Sequence, residues 1–563
     1  MRSMSPLAVV LALFAACSES ASPGSDPSGD GSDGGGPVGN GTRDASSEAV
    51  ASREGGANSP GCRAAPAESF DPLAGYLAPP FAPTAQVTTL ADSGPGSLRA
   101  AVAGGGVVGF APALAGQTIK LASTLELVGS VTIDGSAAPG ITVDAAQSGG
   151  AIHFNGDAPT KLRFFALRMK NGKTTGSGGA ISVNGVAVDV EIGGVRFESN
   201  SAGEGGAIRV GYRSPNVFVH DSLFVRNDGS LTNNGFSGGA ISVSGGHLHV
   251  ARCRFESNTG STSGAVYGIH ANPVIEDSVF VDNRASGTLG SGAFFADGGG
   301  PGDYGNGDKT PGEITLRRSL FVRNRGAGDD GGAGELYAYP PDTVTVEACA
   351  FRANESNPGR AGALFIHADG AVNVKQSSFL DNHATTPGGA IWADGAGAYT
   401  FENDLFSGNA TDSDLGGALR LNLDAKARLR IASSTFVGNR ATSGNGALWL
   451  PGPRDARVRN SIFANNTVVG AAQQINFPVT DEGGNIEWPA PAGKPTLAVA
   501  RNVDPALGPP ALDQGSWVRP IASSSPARDA ATGPAPAVDQ RGAVRGARPD
   551  IGSFELGAVC SSP

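Results

Sequence analysis

The pattern Phe-x-x-Asn returns ten times, at Phe197, Phe224, Phe255, Phe280, Phe321, Phe351, Phe379, Phe406, Phe436 and Phe463, spaced by 27, 31, 25, 41, 30, 28, 27, 30 and 27 residues. A period near 30 lies in the solenoid range, where a unit too small to bury its own apolar face must stack on its neighbours. Five residues before each Phe stands an apolar residue, from Ile192 and Val219 to Ile431 and Val458. Two before it the residue is nearly always small, as in Ser222, Cys253, Ser278, Ser319, Cys349 and Ser377, with Val195 and Asp404 departing. Between repeats comes Gly-Ala, usually followed by an aliphatic residue, as at Ala207-Ile208 and Ala447-Leu448.

Short period-two runs broken by Gly and Asn are strands, and no amphipathic helix of useful length fits between them. A turn of about three short strands can close on itself and stack on the next at ~4.8 Å. Each position then becomes a column, with Phe on Phe inside. Asn is expected at one corner, for its tolerance of left-handed backbone and its amide hydrogen bonding. Gly is expected to supply the freedom needed at another corner. The expected fold is all-β, a parallel β-helix of about 30 residues per coil.

Glycine makes up 85 of 563 residues without a collagen triplet, which suits such a turn-dense fold. The net charge of −11, with no basic stripe, argues against nucleic acid as a partner. Cys253 and Cys349 share a column three coils apart, ~14 Å and beyond disulfide reach, and are expected as buried thiols. Cys62 and Cys560 could pair only if the C-terminal segment folds back along the array, which the sequence leaves open.

Residues 1–17 are expected to be a signal segment, with Arg2, the apolar run "PLAVVLALFAA" and then Cys17. Segment 18–61 is a Ser/Gly/Asp-rich tether unable to bury apolar surface. An N-terminal cap is expected over 62–118, the helix over 119–485 and a C-terminal cap over 486–563.

These motifs carry resemblances. "LFAAC" resembles a bacterial lipobox, which implies lipidation of Cys17 and an outer-membrane or cell-surface location, or secretion if the segment is simply cleaved. The repeated F-x-x-N and G-G-A-[ILV] pair resembles the chlamydial polymorphic outer-membrane proteins and related β-helix proteins, which implies a right-handed coil. "DSGPGSLRAA" is similar to a module that opens many secreted right-handed β-helices, with Ser97 as a helix N-cap. The tail 523–555 resembles the choice-of-anchor Q module. Beyond residue 470 no series of ten-residue alternating strands follows, so a terminal translocating barrel is not expected.

In each coil the residue after the Gly-Ala aliphatic should point outward. That row reads Ser182, Arg209, Ser242, Tyr267, Phe295, Glu335, Phe365, Trp392, Arg420 and Trp449, and a second row includes Asp297, Tyr337, His367 and Asp394. Flat rings among carboxylates and amides suit extended glycans, so Tyr267, Phe295, Phe365, Trp392 and Trp449 are the candidate binding residues. Aromatic enrichment also arises simply because such side chains favour β-surfaces. The expected role is binding or adhesion to a polysaccharide or another surface molecule, by a monomer touching the membrane only through its lipid. An extracellular hydrolase or lyase is the alternative, drawing on Glu335, Tyr337, His367, Asp394 and Arg420, with Asp297 as a second carboxylate partner of Glu335. A spacer without ligand is the third reading. No cofactor is expected; the insert residues Asp303, Asn306 and Asp308 are loosely spaced oxygen donors for Ca²⁺ that fit no known calcium loop. Asp539, Arg541, Arg545, Asp550 and Glu555 are expected to form a salt-bridged cap sealing the array's end.

Overall fold

Phe351 and Phe379 lie with ring centroids 4.8 Å apart and planes 4° from parallel, a contact repeated along the described coils. The computed structural model describes Cys62 and residues 64–560, apart from 157, 212–215, 233–235, 301–310, 329, 413–414, 452–454, 477–478 and 494. Cys17, Asp303, Asn306 and Asp308 lie outside the described residues. The fold is a right-handed parallel β-helix of about 13 turns, ~28 residues each.

The turns build four sheets, of 12, 15, 14 and 11 strands, the last of them starting only at Asp228. One coil runs through Leu364–Ala368 in the Gly-Ala sheet, Ala371–Lys375 in the long sheet, Ser378–Leu380 in the Phe sheet and His383–Ala384 in the short sheet. The last of these, a strand of two residues, exceeds the three strands per turn expected, because two residues make no alternation to read. From Phe197 to Phe463 every successive pair of rings stacks at 4.7 or 4.8 Å, and all ten rings are buried.

The Asn column works differently from expectation. Left-handed backbone belongs to the residue before each Asn, such as Ser199, Arg226 and Asp381. The Asn itself turns inward as a buried amide ladder. Asn354 Nδ2 donates to Asn382 Oδ1 at 2.9 Å and to the Phe321 carbonyl at 3.0 Å, and Asn354 Oδ1 accepts the Asn324 backbone N–H. The ladder runs from Asn200 to Asn466 and ends on Gln474 Oε1. Each amide thus satisfies the main-chain groups that the tight corner orphans.

In the Gly-Ala motif the glycine before Ala is required by close approach: a Cβ on Gly389 would sit 2.0 Å from the Gly417 carbonyl oxygen. The small-residue row is a second ladder, in which Ser278 Oγ accepts the Cys253 N–H at 3.0 Å. Cys253 and Cys349 occupy it as buried thiols, and burial pushes the Cys349 thiol up to about 12.

At the N-terminal end Ser97 caps the short helix Leu98–Val102, accepting the Ala100 N–H. Before that helix the chain runs along the flank, with Phe81 stacked on Phe165 at 5.3 Å and Glu68 paired with Arg323 at 2.7 Å. The C-terminal segment folds back along the same flank. Val518, Ile521, Ile551 and Phe554 cover the outward apolar residues Leu405, Val437, Ile462 and Ile486, while Trp517, Phe70 and Ala65 cover Val279, Val281, Leu320 and Val322. The two straps are joined by a Cys62–Cys560 disulfide. The ion-paired set forms, with Arg541–Asp539 at 2.6 Å and Arg545–Glu555 at 3.0 Å. It clamps the flank rather than sealing an end, because Arg545 Nη2 also donates to Asn403 Oδ1 at 2.9 Å, well inside the array.

Candidate functional site

The outward rows of the Gly-Ala sheet assemble in the expected register. Tyr267 pairs with Phe295, Phe295 with Glu335, Glu335 with Phe365, Phe365 with Trp392, Trp392 with Arg420 and Arg420 with Trp449. Rings stack along this column, Tyr267 on Phe295 at 5.1 Å and Phe365 on Trp392 at 4.9 Å.

This first row does not face water. Tyr267, Phe295, Phe365 and Trp392 retain only 5%, 9%, 3% and 6% of their exposure. They sit outside the main core in a covered layer of their own. A corner residue covers two of them: the Arg360 guanidinium lies 4.3 Å from the Trp392 ring and 4.9 Å from Phe365, and is tied to Asp330 at 2.5 Å. Trp449, at the end of the row, is half-buried, with the Arg420 guanidinium 3.5 Å over its ring.

Glu335 is buried within this column, and burial together with the nearby Asp330 pushes its carboxyl up to about 8. Tyr337 Oη donates to Glu335 Oε1 at 2.8 Å. Glu335 is therefore a packed, largely protonated acid beneath Tyr337, not a carboxylate facing a substrate.

What remains accessible is the second row and its edge. Tyr337, His367 and Asp394 are half-buried, and Tyr339 keeps 36% of its surface. His367 Nδ1 lies 2.6 Å from Asp394 Oδ1, and that hydrogen bond holds the imidazole above its usual pKa. The His367 ring sits 5.8 Å from Tyr337 and 6.3 Å from Tyr339, at tilts of 45° and 57°. Asp297, largely desolvated, is raised by burial and hydrogen-bonded by Tyr339. Asp369 and Asp424 flank this face and add to the field on His367.

Five of the named candidates thus meet in one place: Asp297, Glu335, Tyr337, His367 and Asp394. Arg420 does not join them, since its guanidinium is spent on Trp449. Tyr339, Asp369 and Asp424 went unread because they follow the two outward positions of each strand, at its end or in the next turn. Among the described residues no group of three or more His, Cys, Asp or Glu side chains is placed to hold a metal ion. The chain matches no protein-family model and no curated protein.

Proposed function

We propose that the protein binds carbohydrate at the face formed by Tyr337, Tyr339, His367, Asp394 and Asp297, as a surface adhesion or glycan-binding module. One observation carries this reading: two tyrosine rings, one well exposed, stand beside a His–Asp pair and a row of carboxylates on a rigid sheet. Rings offer apolar contact to the faces of sugars while carboxylates and imidazole accept and donate hydrogen bonds to hydroxyls. The covered first row supports the face from beneath instead of touching ligand.

The charge favours neutral or amino-bearing sugars over uronates. Asp297, Asp369, Asp394 and Asp424 crowd the face, and the neutralising cation a uronate lyase needs is engaged elsewhere. Burial of Glu335 likewise argues against a two-carboxylate hydrolase. The likeness of the repeats to chlamydial surface β-helix proteins, the choice-of-anchor-like tail and the lipobox-like "LFAAC" support a surface lipoprotein held through Cys17.

The test is a glycan array and a depolymerisation assay run on the same intact protein. Retention of defined glycans, lost in His367→Ala, with no new reducing ends and no unsaturated products, is the expected result. Product formation that depends on His367 would replace the binding reading with an enzymatic one.

A further inference from the structure

The straps leave the first coils of the Phe sheet open on the outside, and the side chains change character there. Further along the stack the outward positions are apolar and covered, as at Val279, Leu320 and Val322. In the open part they form two polar columns, Thr142, Arg168 and Arg196 in one and Asp144, Lys170 and Glu198 in the other. Thr142, Arg168, Lys170, Arg196 and Glu198, with the Met169 main chain, line a cleft of about 100 Å³. A single water needs roughly 10–15 Å³, so a small oxyanion fits with room to spare.

The charge there is unbalanced. Arg196 Nε donates to Glu198 Oε2 at 2.9 Å, Arg226 binds the same carboxylate, and Lys170 Nζ stands 3.6 Å from Asp144 Oδ2. Arg168, exposed, makes no ion pair or side-chain hydrogen bond among the described residues. Arg168, Lys170, Arg196 and Arg226 therefore face only Asp144 and Glu198, a surplus of two positive charges in a chain whose net charge is −11. Burial works to raise Glu198, yet Arg196, Arg226 and Lys170 hold it below the usual carboxylate range. Arg168 and Arg196 are register partners in the same column, one coil apart at the ~4.8 Å strand spacing, so two like charges are carried by adjacent strands.

We infer that this cleft binds a tetrahedral oxyanion, the phosphate or sulfate ester of an acidic polysaccharide. Guanidinium groups and an ammonium group lining one cleft are the kinds of donor such an anion takes. No aromatic side chain lines the cleft, so it offers nothing on which a nucleic-acid base would stack. This site is separate from the acidic, tyrosine-bearing face and stands or falls independently of it.

The test is calorimetric titration of the full chain with dextran sulfate and with uncharged dextran, followed by competition with inorganic sulfate and phosphate. Binding of dextran sulfate alone, displaced by either ion, is expected. Arg168→Ala should weaken it about tenfold and Arg168→Lys less, while Arg430→Ala on the long sheet leaves it unchanged. Circular dichroism checks that each variant keeps its fold. No binding, no effect of Arg168→Ala, or an equal loss in Arg430→Ala would overturn the assignment.

Discussion

The Phe280 and Phe321 rings stack at 4.7 Å and 5° although 41 residues separate them in the chain. The extra residues of that coil are absorbed between Asp297 and Glu313, where Asp342 accepts the Gly299 and Gly312 N–H groups at 2.7 and 2.9 Å. Column register therefore survives an insertion because the insert is pinched at its base. Phe321→Ala, mid-column, removes a buried ring with two stacked neighbours. It should cost about 3–5 kcal/mol, read as a lowered denaturant midpoint.

The amide ladder makes a second prediction. Asn354→Leu keeps the volume but leaves the Phe321 carbonyl and the Asn324 N–H without their partners in a dry interior. At about 1–3 kcal/mol for each of the two orphaned groups, the loss should be comparable to that of Phe321→Ala. Gln474→Ala, at the ladder's end, should cost less in the same denaturation experiment.

Asp404 stands in a column that is mostly Ser, fully buried, with Oδ1 accepting the Ser377 N–H at 2.9 Å. Burial raises its pKa well above the ordinary 3.8. The folded state thus binds the proton more tightly than the unfolded state does. Its stability is fully present below about pH 4 and is lost as pH rises towards the folded-state value. Asp404→Ser should raise the melting midpoint at pH 8 and have little effect at pH 4. Melting curves at the two pH values check the sign.

The Cys62–Cys560 disulfide links two straps that cover apolar surface on the Phe sheet. Solenoids are stabilised coil by coil, so the clasp restrains segments that could otherwise open locally. Cys62→Ser should speed proteolytic cleavage within 64–82 and red-shift the emission of Trp517, which packs on this flank. Reductant should do the same to the parent protein, while Cys253→Ser should not.

The columns were legible because the spacing within Phe-x-x-Asn is fixed in all ten repeats although the repeat length varies, and a one-position error would have moved every ring to the wrong face. The pairing of Cys62 with Cys560 was not, since it depends on a fold-back that no local pattern records. The aromatic row was correctly aligned, while whether a loop covers it was not legible. Direction away from the core is a property of the strand, whereas Arg360 covering Trp392 is a property of the irregular corner. Tyr339 was missed for the same reason, as it leaves the strand just before the turn at Pro340.

The most direct test compares an exposed ring with a covered one. Affinity for a glycan retained by the parent protein is measured by calorimetry for Tyr339→Ala and Trp392→Ala, each alongside its melting curve. The account predicts that Tyr339→Ala loses about tenfold or more in affinity with a smaller drop in melting midpoint than Trp392→Ala, which chiefly loses stability. Full affinity in Tyr339→Ala would contradict it.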